Sequence, residues 1–195
     1  MKQLLLYGIV ACCSISGMEE FNTIKILLDE PSKLTLYLES QDQYSRTPLM
    51  RLLDNGTDAM LEEVLPPLKC CKFDREIPGP ANETAYFNAC DRKTITGAVL
   101  MTYIGAKIDT ATSAGRPIDM AFYNDNVPLL EYLLYEGQKG SQVPKVTHDF
   151  ALKFPDFGEF KRVLDLKKRT IPSFAQKLLL KVIGSKITKK AVKKR

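Results

Sequence analysis

Residues able to do chemistry are few and scattered in this 195-residue chain. His148 is its one histidine, which excludes metal centres built on several histidines and most His-relay sites beyond that residue. Its position near the start of a helical pair favours a surface or capping role. No G-x-x-x-x-G-K-[ST] loop and no G-x-G-x-x-G turn is present. The carboxylate pairs Glu19-Glu20 and Glu62-Glu63 are neighbours in sequence. On a helix their members point in different directions instead of facing each other across a substrate, so solvated charge is the expectation. Cys70-Cys71 is flanked by Lys69 and Lys72, and positive charge favours thiolate. With no His nearby in sequence, the preferred reading is that one of the two cysteines packs as a small hydrophobe. Asn55-Gly56-Thr57 and Asn82-Glu83-Thr84 both satisfy N-x-[ST], but each Thr has a structural use described below. No cofactor and no metal is expected, and the chain reads as non-catalytic.

The elements that must position these residues begin with a segment resembling a targeting signal. Lys2 precedes the apolar run Leu4 to Cys13; small residues follow up to Gly17, and then Met18-Glu19-Glu20. The run is shorter than the roughly 20 residues needed to span a bilayer but suits a secretory signal over residues 1–17. Ile9-Val10-Ala11-Cys12 also resembles a lipobox, in which Cys12 would be lipidated. A buried first helix is the third reading. The expected destination is export, either secreted or anchored as a lipoprotein.

Cys70, Cys71 and Cys90 remain beyond that segment. They are odd in number and lack metal spacing, so a disulfide framework is not expected. Charge is uneven along the chain. Residues 161–195 carry 13 Lys or Arg against Asp165 alone, whereas residues 1–160 carry 15 against 22 Asp or Glu. An acidic body with a basic tail points to an anionic partner for the tail.

Three segments of the body repeat: Thr47-Pro48-Leu49-Met50-Arg51-Leu52, Thr84-Ala85-Tyr86-Phe87-Asn88-Ala89 and Arg116-Pro117-Ile118-Asp119-Met120-Ala121. Their starts lie 37 and 32 residues apart, and Gly105 and Gly137 each fall 16 residues after Ala89 and Ala121. The pattern resembles the ankyrin repeat, with its T-P-L-H-x-A opening, its period of about 33 residues and its closing "GADVN", here Gly105-Ala106-Lys107-Ile108-Asp109. Thr caps a helix N-terminus and Pro tolerates the first turn. Ala89, Cys90 and Ala121 allow close helix approach. Leu129, Leu130, Leu133 and Leu134 recur at helical spacing, and Gly105 and Gly137 would end the second helices. The family's His is replaced by Met50, Phe87 and Asp119, Arg116 stands where Thr should cap, and residues 66–83 hold an irregular insertion.

The segments Phe21 to Leu28 with Leu34 to Leu38, and Thr147 to Phe154 with Phe160 to Leu166, read as terminal hairpins. The resemblance therefore covers about residues 20–166 and implies an all-α fold. That fold is a short ankyrin-type solenoid of stacked helix-turn-helix repeats over 18–166, with atypical caps and a basic amphipathic C-terminal helix over 167–195.

Within that tail, Phe174, Leu178, Leu179, Val182 and Ile183 form one apolar stripe, with Lys177 and Lys181 off it. The pattern blurs at Ile187 and Ala191. Packing of the first half on the repeat stack and solvation of Ile187 to Arg195 is the expectation, with an anionic membrane surface as the alternative use. Nucleic acid is disfavoured, because the positive charge is local and lacks aromatic interleaving. The resemblance implies a monomer that binds another protein through loop tips and the exposed side of each first helix. By position, that surface would hold Gln43, Tyr44, Arg46, Asp54 and Asn55, then Glu83, Asp91 and Arg92, then Thr112, Ser113, Tyr123 and Asn124. The function expected is an exported protein-interaction module, host- or envelope-directed; the alternative is a membrane-surface protein using the tail.

Overall fold

The computed structural model describes residues 17–92, 94–108, 110–139 and 170–192, with side chains to 136 and 183 in the last two stretches. Cys12, His148 and the expected terminal hairpin at 147–166 lie outside them. Within the described residues the chain is helical and has no strand, the one bridge being Thr112 with Gly115. Four hairpins follow one another: α1 (Gly17–Leu27) with α2 (Pro31–Leu38), α3 (Pro48–Asn55) with α4 (Asp58–Val64), α5 (Ala85–Asp91) with α6 (Thr96–Ile104), and α7 (Pro117–Tyr123) with α8 (Val127–Lys139). Helix α9 (Ser173–Val192) comes last. Two 3-10 turns, Pro66–Cys70 and Pro80–Asn82, bracket the insertion after α4. Each first helix packs on the next, α1 on α3, α3 on α5 and α5 on α7, while α4 packs on α6.

Local chemistry explains where these helices start. Thr47, Thr57 and Thr84 hold extended backbone, and each hydroxyl accepts from the amide three residues on, Met50, Met60 and Phe87, at 3.3 Å. Arg116 is equally extended but offers no side-chain cap. Instead the Asp119 carboxylate, in the first turn where the helix dipole favours an anion, accepts from the Arg116 amide at 2.8 Å. Gly105 ends α6 with φ of 99°, donating to Thr102 O while Ala106 donates to Met101 O, each at 3.0 Å. That pairing is the Schellman closure, and its left-handed residue favours glycine. Gly137 does not act this way. Helix α8 runs through it to Lys139, because one interior glycine costs a helix only about 1 kcal/mol and does not by itself stop it.

One core runs the length of the four pairs. It contains Ile24, Leu34 and Leu38 at one end, Leu53, Leu61, Tyr86, Ala89, Cys90 and Leu100 in the middle, and Ala121, Leu129, Leu130, Leu133 and Leu134 at the other. Close approach is visible at Gly97. A Cβ there would sit 3.1 Å from the Leu53 Cδ2 of α3 and 3.3 Å from the Ala89 Cβ of α5. Gly17 opens α1 and is buried, and a Cβ on it would come within 2.5 Å of the Asn55-Gly56 backbone.

The expectation of solvated carboxylates fails at Glu20. Glu19 is exposed, but the Glu20 side chain is 0% exposed and accepts from Arg51 Nε at 2.7 Å. Adjacent helical residues face different ways, and here one of the two faces α3. Arg51 Nη1 also meets Asp42 at 3.3 Å and donates to Arg46 O at 3.0 Å. Burial raises the Glu20 carboxyl above its usual range despite the Arg51 bond. Its second oxygen, Oε2, is buried without a hydrogen-bond partner among the described residues. At Glu62-Glu63 the expectation is closer, since Glu63 pairs with Lys25 at 2.6 Å on the surface and Glu62 pairs with Lys181 of α9.

Candidate interaction surface

Three loops enter the first helices, and each is tied within itself. In residues 39–46 the Asp42 carboxylate accepts from the Tyr44 and Arg46 amides at 2.8 and 2.9 Å and lies 3.4 Å from the Arg46 guanidinium. Partial burial opposes the Asp42 charge, but those two amides and the Arg51 and Arg46 cations outweigh it, holding the carboxyl below its usual range. Gln43 and Tyr44 stand exposed at the tip, Tyr44 by 62%, with the Arg46 guanidinium 5.4 Å from the Tyr44 ring.

In residues 71–84 Arg75 donates to the Leu68, Cys71 and Phe73 carbonyls at 3.2, 3.0 and 3.2 Å, and Gly79 N donates to Glu83 O at 2.7 Å. In residues 105–116 the Thr112 amide and hydroxyl both donate to Gly115 O at 2.8 Å.

The loops are also tied to one another. Gln41 Nε2 donates to Pro78 O at 2.8 Å, joining the first to the second. Ser113 donates to Ala81 O through its amide at 3.1 Å and its hydroxyl at 2.6 Å, joining the second to the third. Glu76 accepts from Lys107 N at 2.8 Å and from the Thr110 hydroxyl at 3.3 Å. At the far ends of the first helices the same lacing recurs. Asn88 Nδ2 donates to Asp54 at 3.1 Å, Asn124 Nδ2 donates to the Asp91 carbonyl and carboxylate at 3.0 and 3.2 Å, and Asp58 accepts from Thr94 and Thr96 at 2.8 Å each.

The residues singled out by sequence therefore separate into groups. Arg46, Asp54, Glu83, Asp91 and Asn124 lie along one charged row. Arg46 reaches Asp54 at 4.0 Å; burial raises the Glu83 carboxyl, and the charges of Asp91 and Asp54 raise it further. Burial likewise raises Asp54, against the Asn88 bond and the Arg46 and Arg92 cations. Tyr44 and Tyr123 are the exposed aromatic members, Tyr123 by 59%. Thr112 and Ser113 sit in the third loop, turned onto their own loop and onto Ala81.

Arg92 and Asn55 are placed differently. The Arg92 guanidinium donates to Leu53 O and, at 2.6 Å, to Gly56 O, closing the α3–α4 turn. Asn55 is exposed and donates back to Arg51 O at 3.1 Å. Sequence reading missed Gln41, Asp42 and Glu76, which fix the loops, and Asn88, which ties α5 to Asp54 of α3. One signal for Asn88 was available, because it stands 34 positions after Asp54, close to the spacing between the recurring sequence segments.

Cys70 is exposed, Cys71 is half-buried against the core, and Cys90 is buried, where desolvation holds its thiol far above the usual value. Among the described residues no group of three or more His, Cys, Asp or Glu side chains converges to hold a metal ion. No helix among them is long and apolar enough to cross a membrane. No protein-family model matches the chain, and no curated protein matches it.

Proposed function

We propose that this chain is an ankyrin-type repeat module, exported from the cell that makes it, which binds another protein and catalyses no reaction. What supports the reading is the periodic lacing. Side-chain hydrogen bonds join residues separated by 31 to 39 positions, at both ends of the first helices and over three successive hairpins. Bonds at that separation are what repeats of about 33 residues make when they stack on their neighbours.

A surface held this way loses little conformational entropy on binding, which favours affinity from few contacts. Tyr44 and Tyr123 are the anchors in this reading, and Asp54, Glu83 and Asp91 supply the charge that selects a partner with a basic patch. The acidic row also argues against nucleic acid on this side. Export rests on the apolar segment Leu4 to Cys13 and is tested by the mass of the mature N-terminus.

The surface is tested by capture with the immobilised chain, comparing wild type with Tyr44→Ala/Tyr123→Ala. Both side chains are exposed, so the variant keeps its fold, and loss of a partner that wild type retains is the expected result. Equal capture by both would defeat the assignment.

A further inference from the structure

Helix α9 carries apolar residues on two sides. Ala175 and Val182 are buried, with Phe174, Leu178 and Leu179 half-buried, against Ile95 and Val99 of the α6 region, Tyr132 of α8 and the main core. This corrects the single stripe expected from sequence, for Ile183 is not part of it. Ile183 is 44% exposed and Leu180 is 62% exposed. Three positions apart, the two are neighbours on the helix surface. Lys177 and Lys181 are exposed on the same segment, and Lys181 reaches Glu62 of α4. The helix continues to Val192, and from Lys186 to the end the sequence adds Lys189, Lys190, Lys193, Lys194 and Arg195 with no acidic residue.

We infer that the outward side of α9, built on Leu180 and Ile183 between lysines, is a docking surface for an anionic lipid bilayer. The packing of α9 through its other side leaves Leu180 and Ile183 exposed among the described residues. A bilayer surface meets both of its chemistries at once, with anionic headgroups opposite the lysines and the acyl boundary opposite Leu180 and Ile183. Because no described helix can span a bilayer, the helix lies on the surface. Helix α9 packs on second helices, whereas the loops and first helices carry the candidate protein-binding row, so the two surfaces are separate and this inference does not rest on that reading.

The test is co-sedimentation of the full chain with vesicles of phosphatidylcholine containing phosphatidylserine, and with vesicles of phosphatidylcholine alone, at low and high salt. Wild type is expected to sediment with the anionic vesicles only, and less at high salt. Leu180→Gln/Ile183→Gln and, separately, Lys177→Glu are each expected to weaken capture by about tenfold. Thermal melts followed by circular dichroism should match wild type, because the three side chains are exposed. Tyr44→Ala/Tyr123→Ala is expected to sediment as wild type does. Failure of wild type to bind anionic vesicles, equal binding to neutral ones, or full binding by the Leu180/Ile183 variant would each overturn the inference, the last by leaving a charge-only contact.

Discussion

Two contacts between successive first helices, α1 with α3 and α5 with α7, do the same architectural job with different chemistry. The α1–α3 contact encloses a charge network, Glu20 with Arg51 and Arg51 with Asp42, within an otherwise apolar junction. Helices α5 and α7 pack on each other, and their buried side chains are apolar, Ala85, Tyr86, Phe87, Ala89 and Cys90 in the first and Pro117, Ile118, Met120, Ala121 and Phe122 in the second. The difference teaches where specificity can reside. A buried ion pair adds little net stability against a well-packed apolar substitute, yet it penalises heavily any arrangement that separates its members. The first junction is thus defined by pairing, and the later one by shape.

The largest effect expected is at the charged junction. Arg51→Ala leaves Glu20 buried without its partner and should lower stability by about 3–5 kcal/mol in urea melts. Replacing both members, Glu20→Leu with Arg51→Met, should recover most of that loss. A double variant as unstable as Arg51→Ala would show that the pair does more than satisfy itself. In the apolar core behind the later junction, Leu100→Ala in α6 and Leu129→Ala in α8 should each cost about 2–5 kcal/mol, with no charged partner whose replacement would restore it.

Acid sharpens the contrast. The folded-state pKa of Glu20 is raised, so its protonated form favours the fold, and its contribution grows as pH falls from 7 toward the usual Glu range. Asp42 has the opposite sign; its stabilising contribution persists above its usual range and is lost as pH falls through its lowered folded value. In Glu20→Gln the gain on mild acidification should shrink, as read from urea midpoints at successive pH values. An unchanged slope would show that Glu20 does not set this pH dependence.

Smallest are the caps. Thr47→Ala and Thr84→Ala should each cost about 1 kcal/mol in thermal melts, whereas Arg116→Thr, at an extended position with no side-chain cap, should gain up to about 1 kcal/mol.

Much of the scaffold was legible because it depends on local rules. The Thr47 and Thr84 caps, the Gly105 stop and the leucines of α8 follow from residue type and spacing within one turn or one helix. What escaped depends on pairing across a period. Nothing local distinguishes Glu20 from Glu19; only Arg51, set among Leu49, Leu52 and Leu53, hinted that a buried acid was needed. Gly137 carries the same glycine signal as Gly105 and does not stop its helix, because the backbone there stays helical. The loop ties of Asp42, Gln41 and Glu76 form between segments whose approach no local pattern encodes. On the candidate surface the exposure of Tyr44 and Tyr123 agrees with their sequence positions beside the helix starts and ends, while the role of Arg92 in closing the α3–α4 turn was not readable, since its carbonyl acceptors belong to the preceding hairpin.

Each helical pair rests directly on the next, a contact that methyl-resolved nuclear Overhauser spectroscopy detects. Cross-peaks are expected from the Leu53 methyls of α3 to the Gly97 α-protons of α6, which belong to successive pairs. Their absence in a chain that retains its full helical circular dichroism would contradict the stacking and everything placed upon it.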